Sequence, residues 1–552
     1  MTRRRDLRVP LLLLCACSGG TPPAGPAPAP PATTAAISAQ DLRQRLSIFA
    51  ADSMLGRETG TVGNVKATDY IAAEFRRLGL EPAGDSGTYF QTVPLVTTRL
   101  DDASVIAVGD RRLAVWKDFV AFADSTRQLD GIHAVYGGSL TDTTTWIDPH
   151  DAAGRIVILG IPPGQRTYLP FGSLTAQPRF AAAVAVAAGE LNLIPPELIE
   201  AGRAGELGVR SPARQGPFQL LLTPATATAL LGAPGAGLPR GTAGPVLRGK
   251  VLVRQDPLAA PARNVVAVLR GSDPRLRGQY VALGAHNDHL GLLKPPLDHD
   301  SVRAFNRIVR PRGADSPERP ATDVEVAAIR TALDSLRRLR PARRDSVYNG
   351  ADDDGSGTVA LLEIAEAAST GPKPRRSLLF VSHTGEEEGV LGSSYYVEHP
   401  TVSRDSIVAQ LNMDMIGRGD AGDLTGGGPG YLQVIGSRRL STELGDLADR
   451  ENIEGKHGFV FDYSLDAPGH PEQVYCRSDH TEYARYGIPI IFVTTDLHED
   501  YHQLTDEPQY IDYPKLARVA TLVHDLALRV ANLDHRLVVD HPKPDPSAPC
   551  RQ

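Results

Sequence analysis

The chain has 552 residues, a net charge of −7 and a hydrophobic share of 41%. Its length exceeds that of one ordinary domain of about 100–200 residues, and its apolar share is enough to build packed cores. The acidic balance argues against a nucleic-acid-binding protein, because such proteins usually present a basic face. We therefore expect a globular protein of several units that does not bind nucleic acid.

The first residues follow the pattern of an export signal. Arg3–Arg5 precede a short apolar run at Val9–Leu14, which is too short to cross a bilayer as a helix. The sequence Leu14-Cys-Ala-Cys17 resembles a bacterial lipobox, which implies cleavage before Cys17 and acylation of its thiol. An ordinary signal peptide cleaved nearby is the alternative. We predict a signal peptide with lipobox at residues 1–17 and an exported protein, anchored to the bacterial envelope by lipid and facing the periplasm or the exterior, or else secreted.

The cysteines and the next segment add little structure of their own. After cleavage only Cys17, Cys476 and Cys550 remain, too few for a disulfide framework. Cys476 and Cys550 could pair, and their spacing does not decide it. Residues 18–36 are rich in Pro and Ala, which predicts a mobile linker. No later run has transmembrane length, so we expect membrane attachment only through a lipid anchor.

Residues 37–95 predict two helices, the first part of a larger domain. The first helix begins near Ile37, and the second is amphipathic and ends at Gly79, a residue type favoured just beyond a helix. The apolar face of the second helix carries Ala67, Ile71, Phe75 and Leu78.

Residues 96–259 change character and predict an inserted β-rich domain. They contain short β-like runs, many turns and an alanine-rich segment at Phe180–Ala188 that we interpret as a helix. No residues here have the spacing of metal ligands or of a catalytic nucleophile. The insert either shapes access to a site elsewhere or is a purely structural surface domain, and both interpretations stay open.

The pattern becomes α/β from Ala262 onward. Asn264–Arg270 and Tyr280–His286, separated by a turn at Gly271–Pro274, are interpreted as a hairpin. Residues 292–348 form a basic, proline-rich insertion with one amphipathic helix. We interpret this insertion as solvated surface, or alternatively as a lid over a site.

Helices and strands then alternate to about residue 535. The predicted strands lie at 377–383, Ile407–Asn412, Leu432–Ile435 and Ile488–Val493, and the predicted helices at Ser356–Ala368, from Ser393, at Ser441–Asn452 and at Leu516–Val530. This alternation predicts an α/β fold, with a mostly parallel, twisted sheet covered by helices on both faces. Ligands of such sheets bind at the carboxyl ends of the strands.

Six acidic and imidazole side chains fall at these predicted strand ends or in nearby loops. They are His286, Asp353, Glu386, Glu387, Asp414 and His502. Because buried carboxylates cost several kcal/mol unless they are paired or bound to a cation, their clustering indicates a metal centre. Two histidines with several carboxylates suit zinc, with manganese or cobalt as alternatives. Two ions about 3.5–4 Å apart, bridged by one carboxylate, would leave one of the adjacent glutamates free for acid–base catalysis.

The motifs around these side chains occur in a recognisable order. They are His286-Asn-Asp288, Gly350-Ala-Asp-Asp-Asp-Gly-Ser-Gly357, Glu386-Glu-Glu-Gly389, Asn412-Met-Asp-Met415 and Tyr501-His502. This order resembles that of the co-catalytic di-zinc aminopeptidases, the leucyl-aminopeptidase and glutamate-carboxypeptidase-like family of secreted metallopeptidases. The resemblance covers residues 37–95 and 260–535 and leaves residues 536–552 as a tail. The insert is similar to a protease-associated domain in its Gly154–Leu159 run and its alanine-rich segment.

The resemblance implies a metal-binding role for five residues and two zinc ions per chain. Asp353 would bridge the two ions. His286 and Asp414 would complete the coordination of one ion, and Glu387 and His502 that of the other. The resemblance also implies a cis peptide bond after Asp353.

The resemblance implies further roles around the metals. Glu386 would be the general base that takes a proton from the attacking water and returns it to the leaving amine. Asp288 would orient His286 from behind. Tyr501 would stabilise the oxyanion of the tetrahedral intermediate, and Arg477 would contact the substrate.

The expected function is that of a metallo-aminopeptidase, which hydrolyses the N-terminal bond of a peptide substrate. One alternative is a carboxypeptidase or dipeptidase on the same di-zinc core, which would need cations such as Arg477 for a C-terminal carboxylate. Another is a lipid-anchored, non-catalytic binding protein that uses the insert. A glutaminyl cyclase would need only a single zinc. The sequence does not determine the preferred side chain or the oligomeric state.

Overall fold

The computed structural model describes residues 33–161, 174–189, 196–210, 216–235, 237–424 and 426–552. The predicted signal peptide with its lipobox, and most of the predicted linker, lie outside these residues. Within the described ranges no helix is both long enough and apolar enough to cross a bilayer.

Helices and strands are numbered here in chain order. The helices are α1 (Ala39–Phe49), α2 (Val62–Arg77), α3 (Pro149–Ala152), α4 (Pro196–Ala204), α5 (Pro224–Leu231), α6 (His299–Val309), α7 (Asp323–Leu339), α8 (Gly357–Thr370), α9 (Leu391–Glu398), α10 (Thr442–Glu454), α11 (His480–Ala484) and α12 (Tyr513–Ala531). The first fourteen strands are β1 (Glu81–Pro82), β2 (Phe90–Val93), β3 (Leu95–Leu100), β4 (Val105–Val108), β5 (Arg111–Ala114), β6 (Phe119–Phe122), β7 (Arg127–Gln128), β8 (Ile132–Ser139), β9 (Ile156–Gly160), β10 (Ala185–Gly189), β11 (Glu206–Val209), β12 (Phe218–Leu222), β13 (Ala243–Val251) and β14 (Val253–Pro257). The remaining strands are β15 (Ala262–Leu269), β16 (Tyr280–His286), β17 (Leu292–Asp298), β18 (Arg344–Val347), β19 (Ser377–His383), β20 (Ile407–Met413), β21 (Tyr431–Ile435), β22 (Val460–Asp462) and β23 (Ile490–Thr494).

A nine-stranded sheet carries the residues of the candidate site. Its order is β1-β15-β19-β16-β20-β23-β21-β22, and β2 also pairs with β15. The central strands β19, β16, β20 and β23 run parallel to one another, and each is buried along its whole length. Such uninterrupted burial requires helices on both faces. Residues of α1, α2, α8 and α12 pack on one face and those of α9 and α11 on the other, which confirms the predicted α/β fold.

The predicted hairpin between Asn264 and His286 is wrong. Strands β15 and β16 are not neighbours, because β19 lies between them, antiparallel to β15 and parallel to β16. The connection crosses the start of β19 instead: the Gly271 N–H donates to Ser377 Oγ at 3.0 Å. A Cβ at Gly271 would lie 2.5 Å from the Arg375 carbonyl oxygen, so this crossing needs glycine. Turn residues mark where the chain bends, but they do not determine which strand it meets next.

The insert has its own sheet, in the order β5-β4-β13-β8-β9-β10-β12-β6 with β7 beside β13. The helix predicted at Phe180–Ala188 is wrong, because Ala185–Gly189 is strand β10, parallel to both β9 and β12. Its small side chains are buried between two apolar clusters. Burial and strand pairing outweigh the helix propensity of alanine at this position. The domain boundaries and the likeness to a protease-associated domain stay predictions.

Helices α1, α2 and α8 are joined by a buried ion cluster around Arg45. Its guanidinium contacts Glu74 and donates to Glu363 at 2.9 Å and to Glu366 at 2.5 Å. Arg45 is fully buried. Burial raises the pKa of Glu363 to about 7, although Arg45 acts against this rise. The cluster is stable only while the guanidinium balances the acids around it.

We expect Arg45→Met to lower the free energy of unfolding by about 3–5 kcal/mol, because the buried carboxylates lose their partner. Without Arg45 these acids bind protons more tightly in the folded than in the unfolded chain, so the variant should lose further stability as pH rises from 5 to 8. Urea and thermal unfolding at both pH values measure this. Arg319→Met, which removes only the exposed pair with Glu325, is the control, and equal stability of the two variants would contradict the expectation.

Candidate metal centre

The six acidic and imidazole side chains predicted from the sequence meet at the carboxyl edge of the four central parallel strands. His286 is the last residue of β16, and Asp414 follows directly after β20. Glu386 and Glu387 lie in the loop after β19, and His502 lies in the longer loop after β23. The sixth, Asp353, comes from the irregular turn that precedes α8. Adjacent strands therefore bring these loops together, as expected for a mostly parallel sheet.

Asp353 lies between the two histidines and presents a different oxygen to each. Its Oδ1 is 3.1 Å from His286 Nε2 and its Oδ2 is 3.0 Å from His502 Nε2. Asp414 Oδ1 lies 3.7 Å from His286 Nε2, and Glu387 Oε2 lies 2.8 Å from His502 Nε2. The five side chains thus form two groups of three that share Asp353.

Glu386 belongs to neither group. Its Oε2 lies 3.9 Å from His286 Nε2, and its side chain lines the cleft beside Asp353 and Asp414. Burial, together with the charges of Asp414 and Glu387, raises the pKa of Glu386 well above the usual value for glutamate, against the opposing effect of His286. A carboxyl of this kind holds a proton more readily than an exposed one.

The charge balance of the site fits divalent cations. Within the described part of the chain, histidines are the only basic side chains within 4.0 Å of the carboxylates of Asp353, Glu386, Glu387 and Asp414. Burial lowers the pKa of His502, but Glu387 and Asp353 raise it to about 10. Zinc binds carboxylate oxygens and imidazole nitrogens, and this cluster of four acids and neighbouring histidines offers both kinds of ligand. The residues present therefore fit a metal centre.

The three consecutive aspartates of the turn have different environments. Asp354 accepts the His286 N–H at 3.0 Å, and Asp352 accepts the Gly417 N–H at 2.6 Å. Asp506 accepts the N–H groups of both Asp352 and Asp353 at 3.0 and 3.1 Å. The bond between Asp353 and Asp354 is cis, as the resemblance implies. The flanking acids thus hold the turn, and only the middle one faces both histidines.

Asp288 contacts both His286 and the loop that carries Glu386 and Glu387. Its main-chain oxygen, rather than its carboxylate, lies within hydrogen-bond distance of His286 Nδ1, at 3.2 Å against 3.8 Å. The carboxylate accepts the N–H groups of Glu386 and Glu387 at 3.3 and 3.4 Å. Asp288 therefore connects the histidine of β16 to the glutamate loop after β19.

Tyr501 and Arg477 form one wall of the cleft. The Tyr501 ring stacks on the His502 ring with centroids 3.9 Å apart. Arg477 Nη2 donates to Tyr501 Oη at 3.2 Å. The wall beyond them is mainly apolar and includes Met415, Leu465, Val474, Phe492 and Leu497. The cleft, with its opening to solvent, measures about 530 Å³ and lies next to the two groups.

Two further residues of the site were not predicted from the sequence. His289 is buried, and its Nδ1 lies 2.6 Å from Glu387 Oε1. Ser478 donates to Asp414 Oδ2 at 2.7 Å. Both lie close to residues already identified, three residues after His286 and directly after Arg477. That proximity was the available signal.

The part of the chain that contains these residues matches a known protein family. Residues 264–527 match the model of peptidase family M28. This segment is a peptidase family M28 domain. It contains the five side chains of the two groups, Glu386 and the residues that line the cleft, so the family match and the geometry concern the same part of the molecule.

Curated relatives of the M28 domain include aminopeptidases. A probable leucine aminopeptidase of Trichophyton verrucosum is 26% identical over 222 residues, which cover 38% of this chain and 56% of the relative. Leupeptin-inactivating enzyme 1 of Streptomyces exfoliatus is 44% identical over 150 residues, covering 26% of this chain and 30% of the relative. This chain therefore matches only part of each relative, at most a little over half of its length.

Among solved structures, an aminopeptidase from Aneurinibacillus sp. strain AM-1 matches over 92% of this chain and 97% of its own. The sequence identity is 17% and the TM-score is 0.47.

Proposed function

We propose that this protein is a di-zinc exopeptidase that removes the N-terminal residue from peptides. The observation that carries the proposal is the position of Asp353, which presents one carboxylate oxygen to each of two histidines. In this assignment Asp353 would contribute to both ions. His286 and Asp414 would hold one ion, and Glu387 and His502 would hold the other.

The assignment prefers His502 to His289 as the histidine of the second group. His502 Nε2 lies close to both Asp353 Oδ2 and Glu387 Oε2, at 3.0 and 2.8 Å. His289 approaches the other oxygen of Glu387, at 2.6 Å. In our proposal His289 donates a hydrogen bond to Glu387 and leaves the remaining oxygen free to bind metal, as residues behind metal ligands usually do.

The roles of the other residues follow from their places in the cleft. When bound, two such ions acidify a water and polarise the scissile carbonyl. Glu386 faces the same cleft without belonging to either group, and we propose that it takes a proton from the attacking water and returns it to the leaving amine. We propose that Tyr501 donates a hydrogen bond to the oxyanion.

The charge of the cleft supports an amino terminus rather than a carboxylate as the group bound there. The one arginine that lines the cleft, within the described residues, is Arg477, and Asp315 already pairs with it at 2.5 Å. Asp496 adds a further acid to the same lining. Two bound divalent ions would balance the clustered acids, so the lining offers no cation without a partner to the C-terminal carboxylate of a peptide, whereas Asp496 can attract an ammonium group.

A pair of peptides tests this choice. We expect the zinc-loaded protein to release the first residue of a peptide with a free amine and to leave its N-acetylated counterpart intact. Mass spectrometry of the products, with parallel metal analysis, measures both. Cleavage of the blocked peptide from its C-terminus would instead identify a carboxypeptidase, and cleavage of neither would favour a binding protein. A single zinc per chain would contradict the di-zinc assignment.

We also propose that the protein is exported. Cys476 and Cys550 form a disulfide across 74 residues of sequence, and such bonds persist mainly in oxidising compartments. This supports the export predicted from the N-terminal pattern. Anchoring through a lipid on Cys17 remains part of the proposal, as does a peptide substrate as the partner.

A further inference from the structure

The insertion 292–348 reaches the candidate site through a short segment at Gly313–Asp315. The Ala314 N–H donates to the Tyr501 carbonyl oxygen at 3.1 Å. Gly313 has a φ of 54°, and a Cβ there would lie 2.2 Å from the same oxygen. The backbone of the insertion therefore approaches Tyr501 more closely than any residue with a side chain would allow.

Helix α6 of the insertion holds the residues on either side of Tyr501 and His502. Arg303 Nη1 lies 2.5 Å from Asp500 Oδ2, and Asn306 Nδ2 donates to Gln503 Oε1 at 3.1 Å. The insertion is thus packed against the loop after β23 rather than extended into solvent.

Arg477 links the insertion to the hydroxyl of Tyr501. Its Nη1 donates to Asp315 Oδ2 at 2.5 Å and its Nη2 donates to Tyr501 Oη at 3.2 Å. In the parts of the chain that the structure describes, the Arg477 guanidinium has no other side-chain partner within hydrogen-bond distance. Asp315 is therefore the charged partner of the Arg477 side chain.

The direction of these hydrogen bonds matters for the chemistry. A guanidinium can only donate, so the phenolic oxygen of Tyr501 accepts from Arg477. The hydrogen of the Tyr501 hydroxyl must then point away from Arg477, and Tyr501 lines the cleft together with Asp353 and Glu386. A hydroxyl oriented in advance stabilises a developing oxyanion better than one that must reorient during the reaction.

We propose that Asp315 is a positioning residue for the reaction: it fixes Arg477, which in turn orients the hydroxyl of Tyr501 toward the substrate. The insertion 292–348 then contributes to the proposed active site through Asp315. This inference rests on the proposed function, in which Tyr501 stabilises the oxyanion.

Kinetics of Asp315 variants test the proposal. We expect Asp315→Ala to lower kcat by about tenfold, the effect of one lost hydrogen bond to a charged group, with little change in KM. Asp315→Glu, which keeps a carboxylate, should recover part of the loss. In a Tyr501→Phe background, Asp315→Ala should have no further effect, because the hydroxyl that it orients is absent. Glu325→Gln, which breaks an exposed ion pair of the same insertion, should leave kcat unchanged.

Two results would overturn the proposal. One is an unchanged kcat in Asp315→Ala, and the other is an equal loss in the presence and absence of the Tyr501 hydroxyl. A crystal structure of Asp315→Ala gives a readout that does not need turnover: we expect Arg477 to leave Tyr501 Oη, and an Arg477 that stays at about 3.2 Å would refute the role of Asp315. Absence of turnover in the unaltered protein would count against the proposed function alone.

Discussion

Replacing Glu386 with glutamine is expected to lower kcat by about 10²–10⁴-fold, the contribution of a positioned general base. The carboxylate lines the cleft beside Asp353 and Asp414 but belongs to neither group of ligands. Glutamine has nearly the same shape and cannot accept the proton of the attacking water. The metal content should therefore stay at two zinc ions per chain while turnover is lost.

The neighbouring residue Glu388 provides a matched control. It belongs to the same run of three glutamates but is exposed, so Glu388→Gln should keep both turnover and metal. Steady-state kinetics and metal analysis of the two variants measure the difference. Full activity in Glu386→Gln would exclude this residue as the base, and loss of zinc from it would make it a ligand.

Asp353→Ala is expected to abolish turnover and to leave less than one zinc ion per chain. Asp353 presents one oxygen to His286 and the other to His502, so we expect its removal to take a ligand from both ions at once. Removal of the metals with a chelator should have the same effect on the unaltered protein, and added zinc should restore its activity.

Metal analysis by mass spectrometry, before and after chelation, measures this expectation. Asp525→Asn is the control, because Asp525 lies in another acidic and histidine cluster with Glu451 and His457. That variant should keep the metal content and the activity of the unaltered protein. Two zinc ions in Asp353→Ala would rule out the bridging role and would require a different pair of binding groups.

The insertion 292–348 shows how a sequence can predict an element and leave its purpose open. Its amphipathic helix is present as α7, and the alternatives of solvated surface and lid were both compatible with its composition. The contacts of Ala314 and Asp315 with Tyr501 and Arg477 join residues more than 160 positions apart. No local pattern encodes such a contact.

The wrong predictions of the hairpin and the helix, and the undecided pairing of two cysteines, have the same cause. The hairpin at 264–286 and the helix at 180–188 were inferred from turn residues and from alanine content, which are local properties. In the structure, β19 lies between the two strands of the predicted hairpin. The second half of the predicted helix is the buried strand β10. The pairing of Cys476 with Cys550 likewise depends on the path of the C-terminal tail.

The sequence by itself determined the type of most helices and strands after residue 262, though not of α6, α11, β17, β18 and β22. It also identified the six polar side chains at the strand ends and in nearby loops, because long apolar runs and the polar residues that end them are local features of a buried parallel sheet. Only the tertiary structure decided which strands are neighbours, that Asp353 lies between two histidines, that His289 and Ser478 support the ligands, and that the insertion contacts Tyr501. These are contacts between distant segments, and they form because burial and hydrogen bonding are satisfied for the whole chain at once rather than within any one stretch of it.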